Sequence, residues 1–497
     1  MSSVRRATAL TRLDFARLLL CGPLYVMFAL LVVEAALSAG TTWLVIKAGR
    51  DVANDQFVVS DLFWILAVQS TSYVVGAVSW VFAEQAGFGA FGRYMHRFAR
   101  SNRAKAPVLG DRAQREAVEP FLTSESFHIY FELMYELEAA LRLFLGLVFN
   151  AIVLGLEIDA GLPAAYVLVF VICLTLQWRM HKVSTAAYAA NQRQTNRLTA
   201  HTYTAWDNIL AGNGYNYRLW NGEFKARLRL ALNAQIRAIM VREGLGTAGG
   251  IISLSVVFAG IAWVATRAHG DTETLIALAA TLPRQIDLAH SVLSLTEGVN
   301  DLLAVWTRIG GAVEHFNLQM DPAFAARIKH ERLKLRERDV TVDASSPEAV
   351  LAAVRAAPTG RINVRGGNGS GKSTLLALLK RELGHEAFYW PTTDRLTFAF
   401  ATSQAKGAHR SDEGDDDRDE DDGESADLTP EKLGFSAGEW QIRTLEEIVN
   451  HTRAKVYLLD EWDANLDDSN RARANTLMDA LAARARVVEI SHRDRSR

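Results

Sequence analysis

The stretch Gly366-Gly367-Asn368-Gly369-Ser370-Gly371-Lys372-Ser373-Thr374 fits the phosphate-binding pattern G-x-x-x-x-G-K-[ST]. The pattern needs a strand before it and a helix after it. Ile362 and Val364 supply an apolar alternation on one side. Leu375, Leu376, Leu378 and Leu379 supply a helix-like run on the other. In that context, backbone N–H groups of the loop and of the helix N-terminus cradle phosphates. Lys372 is expected to reach the β- and γ-phosphates, and Ser373 to ligate Mg²⁺.

Upstream of this loop the chain changes character. Its 497 residues exceed one ordinary domain, and its net charge of -2 gives no reason to expect a nucleic-acid partner. Six segments are apolar over the roughly 20 residues that a membrane-spanning helix needs. They run about Leu18 to Ile46, Leu62 to Phe88, Ala139 to Ile158, Leu162 to Trp178, Gly246 to Thr266 and Thr274 to Leu295. Arg5, Arg6 and Arg12 precede the first, which is too long for a signal peptide and reads as a helix that stays. Cys21 and Cys173 both sit in apolar runs and suggest neither a disulfide nor a metal site.

Basic residues give the expected orientation. Arg93, Arg97, Arg100, Arg103, Lys105, Arg112 and Arg115 follow the second segment, and Arg179, Lys182, Arg193, Arg197, Arg218, Lys225, Arg227 and Arg229 follow the fourth. These stretches belong on the cytoplasmic side, with the N-terminus and the phosphate-binding loop. Their helical pattern predicts long cytoplasmic extensions, with short segments at the tips near Phe121 to His128 and Tyr203 to Gly212. A plain solvated helix is the other reading. Glu34, Gln69, Glu84, Asn150, Arg284 and Asp287 are polar residues inside apolar segments. They are candidates for a central cavity or for helix–helix contacts. Pro283 is placed to kink the sixth segment.

Downstream, Val456-Tyr457-Leu458-Leu459-Asp460-Glu461 reads as a buried strand ending in two carboxylates. Asp460 is expected to hold Mg²⁺, and Glu461 to orient or deprotonate a water. Phe435-Ser436-Ala437-Gly438-Glu439-Trp440-Gln441 has the form of a helix start, with Ser436 as cap and Glu439 closing a capping box.

This last stretch also resembles the signature loop of ABC transporters. The matches continue in order, with Ala464-Asn465-Leu466-Asp467 resembling the D-loop and His492 the switch histidine. Gln404 is the best candidate for the glutamine that senses Mg²⁺. The resemblance implies an α/β RecA-like P-loop domain over 326–497 that binds ATP and Mg²⁺. It pairs that domain with an all-α six-helix transmembrane domain of exporter type over 1–325. In that family Ser436, Ala437, Gly438, Glu439 and Asp467 would meet the nucleotide of a second copy, so the implied assembly is a homodimer. Asp-Glu-Trp, with Trp462, is similar to exporters of cyclic peptides, microcins and peptide siderophores. A lipid or drug exporter, and an ATP-binding membrane regulator, are the other readings. The implied location is the cytoplasmic membrane.

Three features depart from the family pattern. No Phe, Tyr, Trp or His lies between Glu331 and Ser370 to stack on adenine. The span from Gln404 to Ser436, where the family has a helical subdomain, is short, and an acidic insert around 408–427 lies within it (Asp412 to Glu424 being its core). That insert reads as solvated and disordered. Little sequence follows His492, so no further subdomain is expected there.

Overall fold

A computed structural model describes residues 10–54, 56, 58–103, 105–269, 271–338, 340–392, 396–401, 435–464 and 466–491, with backbone alone for residue 300. Gln404, the acidic insert, Asn465 and His492 lie outside the described residues. The chain forms two compact units. One comprises 8–96 and 121–314, and the other comprises 97–120 with the described part of 315–497.

The first unit is helical: α1 (Arg12–Arg17), α2 (Gly22–Ala53), α3 (Val59–Asn102), α4 (Arg112–Thr123), α5 (Glu125–Glu157), α6 (Gly161–Thr202), α7 (Ala205–Leu210), α8 (Gly214–Arg267), α9 (Thr272–Ala280) and α10 (Leu282–Glu314), with α3 and α4 continuing into the second unit. Among the described residues, five helices are long and apolar enough to cross a membrane, where α4 and α5 count as one, meeting at Ser124. The sixth expected span is not one continuous helix, in keeping with the kink expected at Pro283. It is divided at Thr281 into α9 and α10. Pro283 is the physical cause, because it cannot donate the N–H that the Ala279 carbonyl would otherwise receive.

Helices α6 and α8 have 42 and 54 residues, so they run about 63 and 81 Å at 1.5 Å per residue. A bilayer core takes about 30 Å, so each continues far beyond it. Asn191 Nδ2 on α6 donates to Gln235 Oε1 on α8 at 2.6 Å, and His201 stacks on Trp220. The connecting α7 falls within the predicted tip 203–212. The tip expected near Phe121 to His128 lies earlier in the chain. The short elements there are a 3₁₀ turn, Ala106–Gly110, and α4.

Helices α2 and α5 run side by side in parallel register. Glu34 pairs with Arg142, Thr42 donates to Asn150 Oδ1 at 2.5 Å, and Arg50 pairs with Glu157 at 2.7 Å. Each pair satisfies polar groups that would be costly against hydrocarbon. Gly76 on α3 makes room for the first pair. A Cβ there would lie 2.8 Å from Glu34 Oε1 and 2.9 Å from Arg142 Nη1. Glu34, Asn150 and Arg284, expected as cavity or contact residues, therefore make helix–helix contacts.

The second unit contains β1 (Leu333–Glu337), β2 (Val340–Val342), α11 (Pro347–Arg355), β3 (Gly360–Gly366), α12 (Lys372–Leu383), β4 (Ala387–Trp390), α13 (Ala437–His451), β5 (Val456–Asp460), α14 (Asp468–Arg484) and β6 (Arg486–Ile490). Its six-stranded sheet has the order β2-β1-β3-β6-β5-β4. β3, β6, β5 and β4 are parallel, while β1 is antiparallel to β2 and β3. Side chains alternate between two cores, as strands dictate. Leu458, Val488 and Ile490 join α11 and α12 on one face. Tyr457, Leu459 and Val487 join α13 and α14 on the other. Helices on both faces explain why β5 and β6 are buried at every position.

Arg486 on β6 is buried, and Glu337 on β1 holds its guanidinium, with one contact at 2.8 Å. The guanidinium keeps the Glu337 carboxyl below the usual glutamate range. Glu337→Ala is expected to destabilise this unit by about 2–3 kcal/mol, less than a fully buried pair because Glu337 is partly exposed. The pair's contribution is present above the ordinary glutamate range and fades as pH falls through the lowered value. Thermal unfolding of wild type and variant across pH checks both statements; a variant as stable as wild type at neutral pH contradicts them.

Candidate phosphate-binding site

β3 and β5 end at the same edge of the sheet, with β6 between them. Ligands in parallel α/β sheets bind outside the carboxyl ends of the strands. Here that edge holds the glycine-rich loop after β3, the Asp460-Glu461 pair at the end of β5, and Ser491 just past β6.

The loop turns through left-handed backbone at Gly369 (φ 74°) and Gly371 (φ 90°). Segment 324–332 packs beneath it, and Lys329 N–H donates to Ser370 O at 3.0 Å. A Cβ on Gly371 would sit 2.8 Å from Ile328 Cα, so both torsion and space demand glycine. α12 starts at Lys372 with no side chain capping it. Its first-turn N–H groups and the positive end of its dipole therefore remain available to an anion. Lys372 Nζ reaches back to Gly366 O at 2.9 Å. Ser370 is buried, and its Oγ has no partner. The 3₁₀ turn Ala106–Gly110 packs against α12, so the first long connection touches the helix that the loop feeds.

Asp460 is 4% exposed, with the hydroxyls of Ser373 and Thr392 beside its carboxyl, and its Oδ1 has no hydrogen-bond partner among the described residues. Burial pushes its carboxyl above the usual aspartate range, and the neighbouring Glu461 pushes the same way. Ser373, Thr392 and Lys372 pull it back. A buried carboxylate oxygen beside a serine hydroxyl is an incomplete ligand set for a hard cation, since Mg²⁺ takes oxygen donors. These residues fit Mg²⁺ and a phosphate chain.

Glu461 has φ 51°, a strained backbone for a residue with a side chain. Its turn is tied down on both sides. Glu461 N–H donates to Ile490 O at 3.0 Å, and Gln441 Nε2 donates to Glu461 O at 3.2 Å. The indole of Trp462 is buried and donates to Glu489 at 2.8 Å. Arg361 grips the same carboxylate at 2.6 and 2.7 Å. Sequence reasoning missed Glu489, Arg361 and the role of Gln441. A charged pair at diagonal positions of two neighbouring strands was the available signal.

Ser436 and Glu439 form the expected capping box, with Glu439 N–H to Ser436 Oγ at 3.2 Å and Ser436 N–H to Glu439 Oε2 at 2.9 Å. Ala437 and Gly438 begin α13, which carries Gln441 to Glu461. Asp467 caps α14 by accepting from Asn470 N–H at 2.7 Å. The structure thus brings together Lys372, Ser373, Asp460 and Glu461. It holds Ser436–Glu439 and Asp467 at helix starts of their own.

No family model matches the chain, and no curated protein matches it.

Gly371→Ala is expected to cost about 3 kcal/mol or more, since a left-handed torsion and a backbone overlap act together. A melting temperature unchanged from wild type contradicts the described packing of 324–332 under the loop.

Proposed function

We propose that this chain is a half-transporter of the ABC exporter type, driven by ATP and Mg²⁺ and acting as a homodimer in the cytoplasmic membrane. The observation that carries the reading is the meeting of Ser373 and Asp460 at the uncapped start of α12. Bound ATP supplies a phosphoryl group whose transfer to water releases free energy. Gly366 to Thr374 hold the phosphates, and Lys372 neutralises them. Ser373 and Asp460 hold Mg²⁺, with Gln404 as a further ligand. Glu461 positions and deprotonates water, and His492 takes the part of the switch histidine that the resemblance implies.

The homodimer follows from the signature. Ser436, Ala437, Gly438, Glu439 and Asp467 sit at helix starts, where N–H groups favour an anion brought by a second copy. The tip of the second connection is consistent with an assembly, because Tyr203 and Trp206 at α7 are exposed at 82% and 75%. The proposed cargo is a peptide natural product. That part rests on the resemblance around Trp462, whose indole has an internal partner in Glu489.

The test uses purified full-length protein in liposomes. Wild type is expected to hydrolyse ATP when Mg²⁺ is present, and Glu461→Gln to lower turnover by about 100-fold or more while still binding nucleotide. Equal turnover in the variant overturns the role of Glu461, and no hydrolysis by wild type overturns the transporter reading.

A further inference from the structure

Among the described residues, the other cations set well inside the apolar helices hold carboxylates. Lys47 pairs with Asp61 at 2.7 Å, Arg50 with Glu157 at 2.7 Å, and Arg142 with both Glu34 and Glu138. Arg284 differs. Its Nε and Nη2 donate to Asn150 Oδ1, each at 3.2 Å, and Nη2 also donates to Ser38 Oγ. Both acceptors are neutral. Asp287, one turn along α10, is exposed and forms no ion pair with it. Arg284 lies about 18 Å along the chain from the start of α9, near the middle of a bilayer core about 30 Å thick.

A second observation points to the same place. Tyr166 is 2% exposed, its hydroxyl has no hydrogen-bond partner among the described residues, and it lies within electrostatic range of Arg284. Buried polar groups are ordinarily hydrogen-bonded. The Arg284 guanidinium has two further N–H donors on Nη1, which bond to no described residue. The inventory is therefore three unmatched donors and one guanidinium with no ion pair among the described residues, its closest charge partner being Asp287 beyond contact distance. A carboxylate is acceptor-only, carries the opposite charge, and binds arginine through a matching fork. Ser38 and Asn150 hold the guanidinium, and Thr42 donates to the same Asn150 oxygen, so its position is fixed before any ligand arrives.

We propose that Arg284 and Tyr166 form a binding site for one carboxylate of the transported molecule, with Ser38 and Asn150 as positioning residues. The cargo assignment rests on the export reading; the binding itself does not. For a peptide cargo the group is a free C-terminus or an acidic side chain. An uncharged or purely cationic cargo has nothing to offer this site.

The probe is N-acetyl-leucyl-phenylalanine, as free acid and as amide, added to full-length protein in detergent without nucleotide. Binding is followed by tryptophan fluorescence and by the shift in melting temperature. The acid is expected to bind at least about tenfold tighter than the amide, and Arg284→Gln to erase that preference. Tyr166→Phe is expected to weaken the acid about 3–10-fold without affecting the amide. If Arg284→Gln fails to fold, Tyr166→Phe and Arg284→Lys decide the matter. Equal binding of acid and amide by wild type overturns the site. An equal response to sodium chloride at the same concentration overturns the cargo assignment and leaves a simple anion site. No ATP is used, so a failure of the hydrolysis test leaves this result standing, and the reverse.

Discussion

The juxtaposition of Ser373 and Asp460 is the constraint on which the sheet-bearing unit turns. It joins residues far apart in sequence, and it exists only because the sheet brings β3 and β5 to one edge with β6 between them. Burying Asp460 in an apolar strand opposes its ionisation. The same burial leaves Oδ1 without a partner. Such a group weakens an empty fold and rewards a bound cation, which is how a site trades stability for binding.

Support for that edge comes from polar groups inside the sheet. Arg361 and Trp462 converge on Glu489, and Gln441 and Ile490 fix the strained turn at Glu461. Trp462 therefore has a structural task in this chain. It holds the residue after Glu461 in place through a buried, charge-assisted hydrogen bond. In the helical unit the same logic appears on a larger scale. Parallel α2 and α5 match Glu34 with Arg142, Thr42 with Asn150 and Arg50 with Glu157, whereas Arg284 has only neutral hydrogen-bond acceptors among the described residues.

Local features were legible in the sequence. The glycine loop, the apolar strand before Asp460, and the Ser436–Glu439 box depend on neighbours within a few residues, and each stands where spacing placed it. Long apolar runs gave the membrane-length helices for a similar reason. Hydropathy alone joins the sixth segment into one run, and Pro283, with its missing N–H, is the residue that marks its interruption at Thr281. The first connection's short element was placed too late, since a 3₁₀ turn at Ala106–Gly110 has no periodic signature. Partners such as Glu489 for Trp462 were invisible, because strand order alone creates them.

The central claim is that Ser373 and Asp460 together make a cation-dependent phosphate site. Equilibrium binding of ATP to the purified full-length protein, with Mg²⁺ and with a chelator, tests it most directly when repeated on Asp460→Asn. The account predicts that Mg²⁺ tightens binding by about tenfold or more in wild type and has little effect in the variant. An equal Mg²⁺ dependence in both proteins would contradict it.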